Sequence, residues 1–341
     1  MSPIASPKSG PAFRRALLGW FREHGRDLPW RHTRDPYAIL VSEIMLQQTQ
    51  VATVIPFYNR WLQRFPDFAA LAAARESDVL HAWQGLGYYA RARNLHAAAK
   101  AIVAQGGPFP RKIERIRELP GLGRYTANAV ATFAFDRSLP IVEANTARLL
   151  ARLTNLQISI DSGAGRDDLW ETATALVPKN NAGIYNSALI DLGAIICISG
   201  QPRCPLCPVR AFCAADEPAK LPIKKARAAT KELTERHFFA EYRGRILFEQ
   251  SADRWRGMWI LPRLTNQTFA GAPLHSAQFP FTNHRITLEI FAANGSLKKI
   301  PRAQRWFTFR ESESIPVPSP HRRALNHLRA KHSTSPRLNT K

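Results

Sequence analysis

Leu119-Pro120-Gly121-Leu122-Gly123-Arg124-Tyr125-Thr126 interrupts a stretch of helical periodicity running from residue 112 to 135. Pro120 stops the first helix, the two glycines allow a tight backbone turn, and a second helix restarts at Arg124. The amides that open this second helix point outward at the positive end of its dipole, a place that suits a phosphate. Taken alone, a PGxG sequence between helices is equally a plain helix–helix turn. The rest of the chain favours the phosphate anchor: 48 Lys and Arg stand against 26 Asp and Glu, a formal charge of +22 on 341 residues, so a polyanion is the expected partner.

Outward from the hairpin the pattern stays helical. Leu17, Leu18, Trp20 and Phe21 set one apolar face and Ile39, Leu40, Ile44 and Leu46 another, and further helices are expected over 143–155, 168–177 and 184–196. The spacing therefore predicts an α-helical region over 12–216. Lys220, Lys224, Lys225, Arg227 and Lys231, with prolines and alanines between them, read as a basic linker over 217–236. Beyond it the period changes to two, at 238–242, 246–248 and 286–290, which predicts a smaller α+β domain over 237–330. Residues 331–341 read as a basic disordered tail. The longest apolar run, Ala182–Ile198, holds Asn186 and Asp191 and is too short and polar to span a bilayer. No secretion signal is visible, so a reducing, cytoplasmic setting is expected, at the nucleoid when the chain is on DNA, with a monomer as the default.

All four cysteines, Cys197, Cys204, Cys207 and Cys213, fall in one stretch with the spacing C-x6-C-x2-C-x5-C. Clustered thiols in a reducing compartment are metal ligands first. A zinc ribbon shows two close CxxC pairs. Here one CxxC is flanked by wider gaps, which favours a [4Fe-4S] cluster in a structural role over zinc.

Two carboxylates stand out. Glu43 lies in the otherwise apolar Val41–Leu46, ahead of Gln47, Gln48 and Gln50. If desolvated it would hold a proton near neutral pH and serve as a general acid; the plainer reading is a helix-edge Glu facing solvent. Gln48 could reach a base edge or simply solvate the helix end. Glu143, after Pro140, begins a helix, where the dipole favours an acid in any case. Between the two lies Gly85-Leu86-Gly87-Tyr88-Tyr89-Ala90-Arg91, which reads as a wedge (Leu86, Tyr88) with a phosphate clamp (Arg91), set against a core aromatic pair.

Together these residues resemble the adenine DNA glycosylases of the MutY family, in the helix-hairpin-helix superfamily that also holds endonuclease III. The resemblance runs from about Trp20 to Cys213, through Leu28-Pro29-Trp30-Arg31, Ser42-Glu43, Met45–Pro56, the Gly85–Arg91 stretch, the hairpin and the cysteine loop. It implies base-excision repair by monofunctional hydrolysis of adenine mispaired with 8-oxoguanine or guanine in double-stranded DNA. Glu43 would protonate the leaving base at N7, Glu143 would stabilise the oxocarbenium sugar, and Tyr125 and Asn145 would position them. Arg31, Gln48, Leu86, Tyr88, Arg91, Gly121, Gly123, Arg124 and Ser187 are the implied DNA and substrate contacts. The four cysteines would hold a [4Fe-4S] cluster. Tyr125 stands where endonuclease III has the lysine that forms a Schiff base, so strand cleavage is not expected. The C-terminal region resembles the family's Nudix-like lesion-reading domain through Arg254–Trp259 and Phe281-Thr282-Asn283, without the acidic run that a Nudix hydrolase needs for magnesium.

Three departures bear on activity. Glu143 and Ala144 stand where the family has Asp and Gly. One methylene moves the charge by roughly 1 Å, which at an effective dielectric of about 20 weakens a unit pair by only ~1 kcal/mol, although misorientation could cost on the order of a hundredfold in rate. Ser187 stands where a longer Glu or Gln helps read adenine, and Asn283 where a His reads the lesion. These leave two rivals open: a same-fold glycosylase for thymine opposite guanine, and a catalytically weak lesion-binding protein.

Overall fold

The computed structural model of the chain describes residues 9–226, 228–264, 271–293 and 300–334. It divides into two compact units, Met1–Ala72 with Ala97–Ala226, and Ala73–His96 with Arg227–Lys341.

The first unit is helical: α1 (Ser9–His24), α2 (Pro36–Leu46), α3 (Val51–Arg64), α4 (Phe68–Ala73, ending at the unit boundary), α7 (Ile113–Arg117), α8 (Arg124–Phe135), α9 (Ala144–Leu153), α10 (Gly163–Leu176) and α11 (Ala182–Ile195), while α6 (Ala90–Ala104) runs through the boundary. The central element is α2. Pro36 opens it, the Asp35 carboxylate accepts from the amides of Tyr37 (3.0 Å) and Ala38 (3.3 Å), and every residue from Tyr37 to Met45 is buried. It packs on α3 and α8, whereas α11 packs on α1, α8 and α9. Phe13, Leu17, Leu149, Leu150, Leu189 and Leu192 close a core that Val209 of the cysteine loop joins. Each such side chain contributes roughly 1.5–3 kcal/mol on burial.

The second unit carries α5 (Glu76–Ala82), α12 (Phe309–Ser314), α13 (Ser319–Thr334) and two sheets. In one, β6 (His284–Ala292) lies between β1 (Lys231–Phe239), parallel to it, and β5 (His275–Phe281), antiparallel. Ile286, Leu288 and Ile290 are fully buried at the period of two that the sequence shows. In the other, β3 (Arg245–Gln250) pairs with β2 (Glu241–Tyr242), β4 (Trp259–Ile260) and β7 (Gln304–Thr308). Among the described residues no helix is long and apolar enough to cross a membrane.

Three boundaries differ from the sequence reading. β1 starts at Lys231, inside the stretch read as linker, because its charges are paired across the ladder: Arg236 with Glu289 (3.0 Å) and Glu232 with Arg285 (3.1 Å). Ala73–His96 groups with the C-terminal region. There the Gln84 amide oxygen accepts from the Val317 amide (3.4 Å), and Arg93 donates to the Arg256 carbonyl (3.1 Å). Finally, α13 continues to Thr334, four residues into the expected tail, on a stripe of buried Ala324, Leu325 and Leu328; residues 335–341 lie outside the described residues.

Candidate active site

A cavity of about 480 Å³ opens in the first unit, lined by Trp30, Arg31, Glu43, Gln48, Tyr125, Glu143, Asn145 and Ser187 among others. Glu43, on the last full turn of α2, is only 5% exposed, so the solvent-facing reading fails. Its Oε2 accepts a hydrogen bond from Tyr125 Oη at 2.6 Å. Burial pushes its pKa up to about 7, the Tyr125 bond and the Arg31 charge working against that shift and the Glu143 charge with it. Tyr125, second residue of α8, is held far above the usual phenol range by burial and by Glu43, so it remains a donor.

The raised value of Glu43 has a linkage consequence. A carboxyl that binds its proton more tightly folded than unfolded contributes stability below the unfolded value of 4.5, and that contribution is lost as pH rises through about 7. Glu43→Gln is therefore expected to melt above the wild type at pH 8 and to lose that advantage below pH 4.5, measured by calorimetry across the range.

Glu143 begins a helix, as its place in the sequence suggests, and its side chain also reaches the cavity. It is the N-cap of α9 in a capping box: Oε1 accepts from the Thr146 amide (2.9 Å) while Thr146 Oγ1 accepts from the Glu143 amide (2.8 Å). It also lines the cavity, where Asn145 Nδ2 donates to Oε2 at 3.2 Å. Burial raises its proton affinity against the amides of Asn145 and Thr146 and the charges of Arg148 and Arg26. Asn145 is held in turn by Arg148, whose Nη2 donates to Asn145 Oδ1 (2.8 Å) and to the Gly193 carbonyl (2.6 Å). A Cβ at Gly193 would lie 2.7 Å from the Asn145 carbonyl oxygen, so only glycine lets α11 approach α9 this closely. Because the longer side chain folds back to reach both the cap and Asn145, Glu143→Asp should keep its melting point but lose the second contact. Its single-turnover rate is expected to fall about fivefold; a faster variant would show the pocket still shaped for Asp.

Two residues that the sequence reading did not name for the site bear on it: Arg26, which lines the cavity, and Asp191, which holds Arg26 and Arg31. Asp191 of α11 is fully buried, and its carboxylate takes the Arg26 amide (2.8 Å), Nε (2.9 Å) and Nη2 (2.6 Å), together with Nη1 and Nη2 of Arg31 (both 2.8 Å). Arg31 also donates to the carbonyls of Arg26 (2.8 Å) and Ser187 (3.5 Å), so its terminal nitrogens are engaged before any ligand arrives. That alters the expectation that Arg31 contacts substrate directly. The signal was present: an acid inside an apolar helix, one turn after Ser187.

Other expected contacts divide. Gln48 lines the cavity with φ at +57°, uncommon for a non-glycine residue. In the hairpin Gly121 has φ at +76°, but Gly123 has ordinary extended backbone and caps α8, with open space where a Cβ would sit. Two glycines are thus not both needed for the turn; the second leaves room outside it. The Arg124 guanidinium lies 3.8 Å from the centre of the Trp170 ring. In the second unit Tyr88 is exposed with φ at +47°, whereas Leu86 is buried. The clamp reading of Arg91 is corrected: it is buried and donates to the carbonyls of Leu86 (3.1 Å) and Gly87 (3.3 Å), shaping its own bend. Phe281 ends β5 under Arg254 (4.6 Å) and His284 opens β6, so Thr282 and Asn283 form the exposed turn rather than strand.

In the cysteine loop, Cys197 is buried and the other three are partly or fully exposed. Burial pushes the Cys207 thiol up to about 11, and the three other cysteines reinforce the shift. Among the described residues no group of three His, Cys, Asp or Glu side chains is arranged to hold a metal ion as it stands. The donor set nonetheless suits an anionic thiolate-bound group. Arg152, 1% exposed, donates to Cys197 Sγ (3.3 Å) and to the carbonyls of Cys197, Ile198, Gly200 and Leu221.

The first unit has the helix-hairpin-helix glycosylase fold: a profile described as HhH-GPD superfamily base excision DNA repair protein matches residues 41–172. The adenine DNA glycosylase of Buchnera aphidicola subsp. Baizongia pistaciae is 35% identical over 75% of this chain and 74% of its own length. The chain belongs to the adenine DNA glycosylase family. The adenine DNA glycosylase of Rattus norvegicus is 43% identical over 60% of this chain, which spans only 42% of that longer protein. Among solved structures, a thermostable thymine-DNA glycosylase superposes with a TM-score of 0.56 at 31% identity, covering 62% of this chain and 97% of the other.

Proposed function

We propose that the protein is a monofunctional base-excision repair glycosylase that hydrolyses the N-glycosidic bond of adenine paired with 8-oxoguanine or guanine in duplex DNA. The observation that carries this is Glu43, buried in the cavity, holding a proton near neutral pH and oriented by Tyr125. A neutral purine is a poor leaving group. Proton transfer from the Glu43 carboxyl to N7 lets the base depart with the electron pair of its bond to the sugar. The positive charge left on the sugar is opposed by Glu143, which Thr146 and Asn145 hold in place; water then adds to the sugar and gives up a proton that restores the Glu43 carboxyl. No lysine is among the residues lining the cavity, and Tyr125 is a phenol donor, which supports hydrolysis without an imine to the enzyme.

Cys197, Cys204, Cys207 and Cys213 would hold a [4Fe-4S] cluster, whose contribution would be to tie the loop down. The open face of Gly123 and the amides that start α8 would take a backbone phosphate. The second unit would serve as a Nudix-like reader of the lesion strand through the exposed turn after Phe281. Support comes from Thr282, whose φ of +53° is unusual for a β-branched residue.

The test is single-turnover release of adenine from a duplex with one 8-oxoguanine·adenine pair, scored with and without alkali. Strand breaks that require alkali are expected. Tight binding without release would instead favour a lesion-binding protein. A second reading, thymine opposite guanine, is favoured by the similarity to the thymine-DNA glycosylase and by Ser187; release of thymine in preference to adenine would establish it.

A further inference from the structure

Buried acids are commonly matched one to one by basic partners, but Asp191 has two. Its carboxylate is fully occluded and receives five hydrogen bonds from Arg26 and Arg31, four of them at 2.8 Å or longer and one, from Arg26 Nη2, at 2.6 Å. Removing an acid of this kind leaves two partly buried cations without their counter-charge. Both arginines line the cavity, and each faces a different carboxylate there: the charge of Arg31 acts on Glu43, and that of Arg26 on Glu143.

We propose that Asp191 is a positioning residue for the reaction: by clamping Arg26 and Arg31 into the cavity wall it balances their charge and fixes one guanidinium near each of the two working carboxylates. The inference rests on the glycosylase reading above and adds a residue that touches neither the substrate nor a reacting atom. Chemically, the clamp solves a conflict. An unbalanced arginine beside Glu43 would draw the proton off the general acid, whereas an apolar wall would leave the developing sugar cation and Glu143 without electrostatic order. The clamp leaves both terminal nitrogens of Arg31 satisfied, which opposes its swinging into a direct ion pair with Glu43. The charged or titratable groups facing Glu43 are Tyr125 from α8, Glu143 from the start of α9 and Arg31; those facing Glu143 are Glu43 itself, Tyr125, Arg148 on its own helix and Arg26.

The experiment follows the protonated-carboxyl stretch of Glu43 by infrared difference spectroscopy across pH, each protein being referenced to its Glu43→Gln counterpart, beside pH profiles of single-turnover adenine release. Asp191→Asn keeps the shape and one acceptor while removing the negative charge. The titration midpoint of Glu43 should move down by about one pH unit, and the alkaline limb of the rate profile should move with it, so that activity lost at pH 7.5 returns near pH 6. Arg26→Gln should move the midpoint upward, because Asp191 is then less fully balanced, and this opposite sign remains readable if Asp191→Asn fails to fold. A purely structural role would lower activity equally at every pH. Midpoints unchanged in the folded variants overturn the proposal. The same midpoint shifts in the variants, with a wild type that releases no adenine, would uphold the clamp and remove the glycosylase reading instead.

Discussion

Glu43→Gln should reduce single-turnover release of adenine from an 8-oxoguanine·adenine duplex by about a thousandfold, some ~4 kcal/mol of barrier. The amide keeps the volume of the carboxyl and an oxygen to accept from Tyr125 Oη, now 2.6 Å from Oε2, so the pocket is preserved and only the transferable proton is lost. The wild type should show the same dependence on that proton. Since the carboxyl titrates at about 7, its rate should fall about tenfold per pH unit above that point. A variant that retains a rate within tenfold of wild type, or a wild-type profile flat from pH 6 to 9, would remove Glu43 as the general acid and leave it as a buried structural group.

The second large effect concerns stability. Arg152→Met should lower the melting midpoint of the first unit by about 10 °C, corresponding to roughly 3–5 kcal/mol. Arg152 is 1% exposed and joins α9 to four carbonyls spread over Cys197, Ile198, Gly200 and Leu221, and to the sulfur of Cys197. Methionine fills much of the volume but satisfies none of these acceptors; Arg148 Nε still reaches the Cys197 carbonyl (2.7 Å), while the other carbonyls lose this donor, and an unpaired buried acceptor costs more than its bond contributes. The loss should appear with the loop's thiols reduced and any bound metal removed. A midpoint within 2 °C of wild type under those conditions would show that water replaces the guanidinium and that the loop is held by its apolar contacts, Val209 first among them.

What was legible in the sequence has a local cause. The α7–α8 hairpin is visible because Pro120 and Gly121 act on the backbone where they stand, and Gly121 does adopt the positive φ that its position invites. The helices of the first unit and strand β6 follow from apolar periods of 3.6 and 2 that survive in the buried positions Leu149, Leu150, Ile286, Leu288 and Ile290. Glu43 could be singled out because a carboxyl in an apolar helix is costly unless something accounts for it. The start of strand β1 reads as linker because its outward residues are charged and paired only across the ladder, with partners more than fifty positions away.

By itself, then, the sequence determined the helical class of the first unit, the α+β class of the second, the hairpin, and the carboxyl that stands out in an apolar helix, all properties set by neighbours within a few residues. The tertiary structure decided which charges meet. Whether Glu43 faces solvent or a dry cavity beside Tyr125, 82 residues on, and that Asp191 rather than any nearer acid gathers Arg26 and Arg31, 165 and 160 residues away, depend on segments distant in the chain packing together. Proton affinity and ion pairing are set by burial and distance, and neither quantity is local in the chain.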